Sequence, residues 1–118
     1  MLNIGSGSKV YLVAGPTDMR KSFDTLAAVV RTAIDADPLS GHLFVFCNRK
    51  RDRLKALIWE PSGFWLLAKR LENGTFSWPI TSATKVQYSA AELAALLEGL
   101  ELSGRRRKRF KGLKKTVK

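Results

Sequence analysis

His42-Leu43-Phe44-Val45-Phe46-Cys47-Asn48, followed by Arg53 to Glu60, Pro61-Ser62-Gly63 and Phe64 to Glu72, is the stretch that decides the fold. Residues 43–47 are apolar without alternation, so both faces of this segment must be covered, as in a central strand. Asn48 to Asp52 is too polar and too charged to continue it. Pro61-Ser62-Gly63 breaks the next two apolar runs with turn chemistry. Three short strands joined by tight turns read as an antiparallel meander.

Working outward, Asn73-Gly74 is the strongest hairpin signal in the chain and predicts a further strand over Thr75-Phe76-Ser77-Trp78, ended by Pro79. Upstream, Lys9 to Ala14 is a β-rich run stopped by Gly15-Pro16. From Ser22, a suitable N-cap, the residues Phe23, Leu26, Ala27, Val30, Ala33 and Ile34 recur at helical spacing until Pro38 and Gly41 close the segment. Downstream, Ser89-Ala90-Ala91-Glu92 has the spacing of a capping box and opens a helix carrying Leu93, Leu96, Leu97 and Leu100, with Gly99 or Gly104 as its end. The expected fold class is α+β: a small, mostly antiparallel sheet of about five strands with two packed helices. One domain over residues 1–103 and a basic tail over residues 104–118, disordered when free, complete the expected organisation.

Charge narrows the function. The 118 residues contain 21 Lys and Arg against 10 Asp and Glu, a net charge of +11. Nine of the cations lie in the tail, among them Arg105, Arg106, Arg107, Lys108, Arg109 and Lys111, and no acid accompanies them. The remaining 12 basic residues face all 10 acids, so the body carries only +2. A polyanion relieves such an imbalance, and nucleic acid is the usual one, with an anionic membrane surface as the competitor. The short Gly/Ser-containing start lacks a signal core and no run approaches the roughly 20 apolar residues of a membrane span. A soluble, cytoplasmic protein is expected. Cys47, the one cysteine, sits in an apolar run and reads as a small buried hydrophobe.

Gly15-Pro16-Thr17-Asp18-Met19-Arg20-Lys21-Ser22 nearly matches a phosphate-binding loop, but Arg20 stands where the second glycine belongs. That glycine lets backbone wrap a phosphate, so nucleotide hydrolysis is not expected. Arg20, Lys21 and the following helix start can still meet a DNA phosphate. The favoured reading is structural: Asp18 caps the turn or pairs with Arg20. Asn48-Arg49-Lys50-Arg51-Asp52-Arg53, with Lys55 beyond, concentrates cations at a strand junction. Such a tip either reaches a nucleic-acid backbone or is a solvated loop, and the sequence weighs these evenly. Trp59, Trp65, Trp78, Phe44, Phe46, Phe64 and Phe76 can stack bases, yet a domain this small needs them in its core. His42 is the single histidine, and no Cys, His or carboxylate cluster has metal-ligand spacing. An enzyme, a metal site and a cofactor are not expected.

Taken together, the strand before Gly15, the run Gly15 to Asp24, Asp37-Pro38-Leu39-Ser40-Gly41-His42-Leu43-Phe44-Val45-Phe46, Arg49, Asp52-Arg53-Leu54-Lys55 and Lys69-Arg70-Leu71-Glu72-Asn73-Gly74-Thr75-Phe76-Ser77-Trp78-Pro79 resemble a known family. In this order they resemble the TnpB accessory protein, the second open reading frame product of insertion sequences of the IS sixty-six type. The resemblance covers about Lys9 to Leu100. It does not extend to the much larger RNA-guided nuclease that shares the letters TnpB. It implies a role in transposition beside a separate transposase, and it brings no catalytic or ligand residues with it.

Charge and resemblance together point to an accessory DNA-binding protein that assists or regulates transposition. Arg49, Lys50, Arg51, Arg53, Lys55 and the tail supply phosphate contacts, with Arg20 and Lys21 secondary. DNA and the element's transposase are the expected partners, with no membrane and no small-molecule substrate. The alternatives are an adaptor that binds the transposase without specific DNA contact, and an RNA-binding regulator.

Overall fold

A computed structural model of the chain describes residues 7–99. Five strands, β1 (Val10–Val13), β2 (Leu43–Cys47), β3 (Arg53–Glu60), β4 (Gly63–Arg70) and β5 (Lys85–Tyr88), form one sheet in the order β4-β3-β2-β1-β5. Helix α1 (Phe23–Ala33) lies between β1 and β2 in sequence, and α2 (Ala90–Leu97) follows β5. The β2-β3-β4 meander is antiparallel, as expected. β1 runs parallel to β2, Val10 beside Leu43 and Leu12 beside Val45, because a whole helix separates them; β5 closes the other side of β1 antiparallel. The fold is α+β with a mostly antiparallel sheet.

All five residues of β2 are buried, so the sheet is covered on both faces. The pleat sends alternate side chains to opposite layers. Phe44, Phe46, Val13 and Leu57 meet Leu26, Ala27, Val30 and Ile34 of the α1 segment. Leu12, Val45, Cys47, Ala56 and Ile58 meet Leu93 and Leu96 of α2 together with Phe76 and Trp78. Fully burying one such side chain contributes about 1.5–3 kcal/mol, so neither layer is optional in a domain of this size. Burial also pushes the Cys47 thiol up to about 11, which keeps it an inert part of the core.

The helix ends follow the local chemistry. Ser22 is extended, and its N–H donates to Thr25 Oγ1 at 2.8 Å. Phe23, expected on the apolar stripe, is 45% exposed because the core-facing stripe begins at Leu26. At α2, the Ser89 and Glu92 side chains exchange bonds with each other's backbone N–H groups at 3.0 and 2.7 Å. Gly99 ends that helix with φ of 80°, a left-handed conformation that glycine adopts without strain. Leu100 and the tail lie outside the described residues.

One expected element is absent. Thr75–Trp78 is not a strand. The Trp78 N–H bonds the Phe76 carbonyl at 2.9 Å, which folds the backbone tightly and turns both rings into the same core layer. Pro79, which has no N–H to give, comes immediately after. The fifth strand is instead Lys85–Tyr88, four residues with only Tyr88 fully buried. Phe76 therefore acts as a core plug delivered by irregular backbone. Replacing Phe76 with Ala should lower stability by about 3–5 kcal/mol, as for a large side chain lost from a strand core. Urea denaturation checks this, and a loss under about 1 kcal/mol, within the range of a surface change, would show the segment to be peripheral.

Candidate nucleic-acid interface

The carboxyl ends of β1 and β2 open onto the same end of the sheet, and two connections meet there. The loop after β1 is tied down by the Thr17 N–H, which donates to the Cys47 carbonyl at 2.8 Å. The ammonium of Lys55, half-buried on β3, donates to the Lys21 carbonyl at 2.7 Å. Pro16 to Met19 are thereby held beside the hairpin that runs from Asn48 to Arg53, and Lys21 is tied to β3.

Asn48 builds that hairpin. Its Oδ1 accepts from the N–H groups of Asp52 and Arg53 at 3.0 Å each, and its Nδ2 donates to Asp52 Oδ1 at 2.8 Å. Arg51 takes a left-handed φ of 62°, with its N–H on the Asn48 carbonyl at 3.1 Å. The carbonyls of Arg51 and Asp52 accept from Phe76 and Leu71 at 2.7 and 2.8 Å, so the core plug and the exit of β4 both brace the tip. With the backbone braced at Asn48 and from Arg51 to Arg53, the side chains of Arg49, Lys50, Arg51 and Arg53 project outward, all exposed.

Those four cations have no acidic partner among the described residues, and the nearby acids explain why. Asp18 holds Arg20 in a two-pronged contact, Oδ2 to Nη2 at 2.7 Å and Oδ1 to Nε at 3.1 Å, and also caps the Arg20 N–H at 2.9 Å. Glu72 takes Arg70 at 2.9 Å. Asp52 is occupied by Asn48. The end of the sheet is left with uncompensated positive charge on a well-braced support. The pairing of Asp18 with Arg20 matches the structural reading of that loop.

Three open hollows connect these parts. Thr17, Asp18 and Met19 share one of about 630 Å³ with Asn48, Arg49, Lys50, Asp52 and Arg53. Arg53 and Lys55 line another, of about 590 Å³, with Lys69, Arg70 and Glu72. Arg49 and Arg51 line a smaller one, about 240 Å³, with Gly15, Trp78, Pro79, Ile80 and Thr81. Sequence reasoning missed this last segment and the contribution of Lys69 and Arg70. Ile80 is 86% exposed, and the only hint of it in the sequence is its place after Pro79. Of the aromatic set, Phe44, Phe46, Phe76 and Trp78 are core, the Trp78 Nε1 on the Val13 carbonyl at 3.2 Å; only Trp65 is well exposed. The tail cations Arg105, Arg106, Arg107, Lys108, Arg109 and Lys111 lie outside the described residues. No group of His, Cys, Asp and Glu among the described residues is arranged for a metal, and no helix there is long and apolar enough to cross a membrane.

Bonding from the Arg20 guanidinium holds the Asp18 carboxyl well below its ordinary value, at about 2. A lowered carboxylate contributes stability above its unfolded-state value and loses it as pH falls toward the folded one. Both groups are substantially exposed, so the contribution to stability is small. Carboxyl NMR titration should give Asp18 a midpoint near 2, and Arg20→Ala should return it toward 3.8. An unmoved midpoint would mean the pair does not form in solution.

Comparison with known proteins finds relatives along most of the chain. Residues 8–109 match the family model described as IS66 Orf2 like protein. The uncharacterized protein y4hO of Sinorhizobium fredii is 38% identical over 101 residues, covering 86% of this chain and 88% of its own length. The uncharacterized protein y4jC of the same organism is 33% identical over 111 residues, covering 94% of this chain and 95% of its own. No solved structure gives a significant match. A family match across nearly the whole described domain identifies the chain as a member of the IS66 Orf2-like family, the accessory proteins of IS66-type insertion sequences.

Proposed function

We propose that this chain is a DNA-binding accessory protein that helps assemble or regulate a transposition complex, while a separate transposase performs the strand chemistry. The observation that carries the reading is the set Arg49, Lys50, Arg51 and Arg53, unpaired and exposed on a hairpin whose backbone is engaged internally. A phosphate backbone approaching the sheet end meets preoriented donors and displaces little protein-bound charge. Arg20 keeps 92% of its side chain exposed despite its pairing and can add a contact, while Lys55 serves by pinning Lys21. Arg105 to Lys111 then add phosphate contacts and, with them, salt-dependent affinity.

Binding to element-end and random DNA across a salt series tests this. Ending the chain at Ser103 should leave the melting temperature unchanged. Losing even five tail contacts should flatten the salt slope by roughly 4 to 5, at about 0.9 per contact. In that shortened background, replacing Arg49, Lys50 and Arg51 with Ser should weaken binding by a similar factor for both DNAs. A loss confined to element ends would mean that the hairpin reads bases. Unchanged binding would remove the hairpin from the interface.

The adaptor reading is favoured by one observation: Ile80, 86% exposed, stands at the hollow that Arg49 and Arg51 line. An aliphatic anchor beside two guanidiniums suits an acidic, apolar segment of the transposase. Ile80→Ser should leave DNA affinity within about twofold and weaken co-purification of the transposase by roughly tenfold if that contact exists. Equal co-purification would remove it.

A further inference from the structure

Strand β4 is an outer edge of the sheet because Thr75–Trp78 leaves the sheet plane instead of pairing with it. Eight residues long and free of proline, it presents apolar side chains on both faces: Phe64 and Leu66 toward the α1 layer, Trp65 and Leu67 toward the α2 layer. Trp65 is 48% exposed and Leu67 41%. Edge strands ordinarily carry free charges that discourage pairing. Here the edge cations are occupied: the Lys69 ammonium donates to the Leu97 carbonyl at 2.8 Å, and Arg70 is paired with Glu72.

We propose that β4 pairs antiparallel with β4 of a second copy, in the register that sets Leu66 opposite Leu66. The hydrogen-bond parity of the sheet selects this arrangement. Leu71 N–H bonds the Asp52 carbonyl, and the register continues to Glu60 opposite Gly63, so the odd-numbered positions of β4 are turned toward β3. The backbone groups of Phe64, Leu66 and Ala68 therefore face outward. With Leu66 on the twofold axis, Phe64 bonds Ala68 of the copy, Leu66 bonds Leu66, and Ala68 bonds Phe64. Trp65 then falls opposite Leu67 at the closer, non-hydrogen-bonded positions, twice by symmetry. Both exposed apolar side chains are covered by each other.

Charge agrees with the same register. Lys69 of the copy lies opposite Gly63, and Gly63 lies opposite Glu60 on β3, all on one face. Gly63 has no side chain, so the Lys69 ammonium, exchanging the Leu97 carbonyl of its own chain for a charged acceptor, can pass over it to the Glu60 carboxylate, which also accepts from Trp65 Nε1 at 2.7 Å. Moving the twofold axis to Leu67 would instead set Lys69 against Trp65 and leave Glu60 unmatched.

Analytical ultracentrifugation of the full chain, in salt high enough to strip nucleic acid, tests the interface. Wild-type protein should sediment as a dimer at tens of micromolar. Replacing Trp65 and Leu67 with Lys in one chain, or with Glu in another, should give monomers with wild-type melting temperatures. Mixing the two should restore a dimer, because positions 65 and 67 face each other. A monomeric wild type, or a double-Lys chain that still dimerises, would overturn the proposal. Should either variant fail to fold, a Trp65→Cys chain mixed with a Leu67→Cys chain, both in a Cys47→Ala background, should form an intermolecular disulfide at this closer, non-hydrogen-bonded pair on mild oxidation. Its failure to form would count equally against the register.

Discussion

Leu43 to Cys47 is buried on both sides of the sheet, and that requirement organises everything else. A strand without a solvated face needs an apolar layer above and another below. α1 provides one, through Leu26, Ala27, Val30 and Ile34. A helix of eight residues provides only part of the other, since α2 brings just Leu93 and Leu96 as fully buried side chains. The deficit is met by Phe76 and Trp78 from irregular backbone. The segment can do this only by abandoning the ladder it would otherwise join, and β4 is left as an open edge in consequence. The double burial of β2, the core plug and the unpaired edge are one structural fact seen from three places.

The same plug shapes the cationic end. Phe76 N–H bonds the Arg51 carbonyl, and Leu71 N–H bonds that of Asp52, so burying Phe76 also locks the hairpin beside it. Asn48 completes the lock from within. Because backbone and amide groups consume the local hydrogen-bonding capacity, and Asp52 is among the groups consumed, the arginines of the tip are left without counter-charges. Placing such charge at a sheet end costs little, since the groups stay hydrated. They remain exposed and without a counter-charge among the described residues.

The elements most legible in the sequence are those with a local cause. The unbroken apolar run of β2, the turn after Glu60 and the Ser89–Glu92 box each act over a few residues and stand where the sequence places them, except that Gly63, expected in the turn, already pairs with Glu60 as the first residue of β4. Thr75–Trp78 and Lys85–Tyr88 depart from the sequence expectation for the opposite reason. Asn73-Gly74 does make a turn, with Gly74 at φ of 79°, but the path of the chain beyond that turn is decided by tertiary demand. Phe76 and Trp78, two apart, would share one face of a strand, and they share one core layer without it. Lys85–Tyr88 carries too little pattern to announce itself, and it pairs with β1 because that edge is otherwise bare. At the site, the cations are visible in the sequence as residue types. Their lack of partners is not, since it depends on Asp18, Asp52 and Glu72 each being engaged elsewhere.

In the proposed DNA-binding role, tail and hairpin would divide the work in different ways. The tail has nine cations and no acid, enough to dominate affinity at low salt through counterion release. Phosphate contacts of that kind carry no sequence information. The hairpin has four unpaired cations, hence a smaller share of affinity, but their positions are fixed relative to the sheet by Asn48 and the Phe76 plug. Fixed donors can distinguish one orientation of a backbone from another. Raising ionic strength weakens both, yet the tail, with more phosphate contacts to lose, weakens faster. In that proposed role, orientation by the hairpin would therefore matter most under the salt conditions in which tail-driven affinity has already fallen.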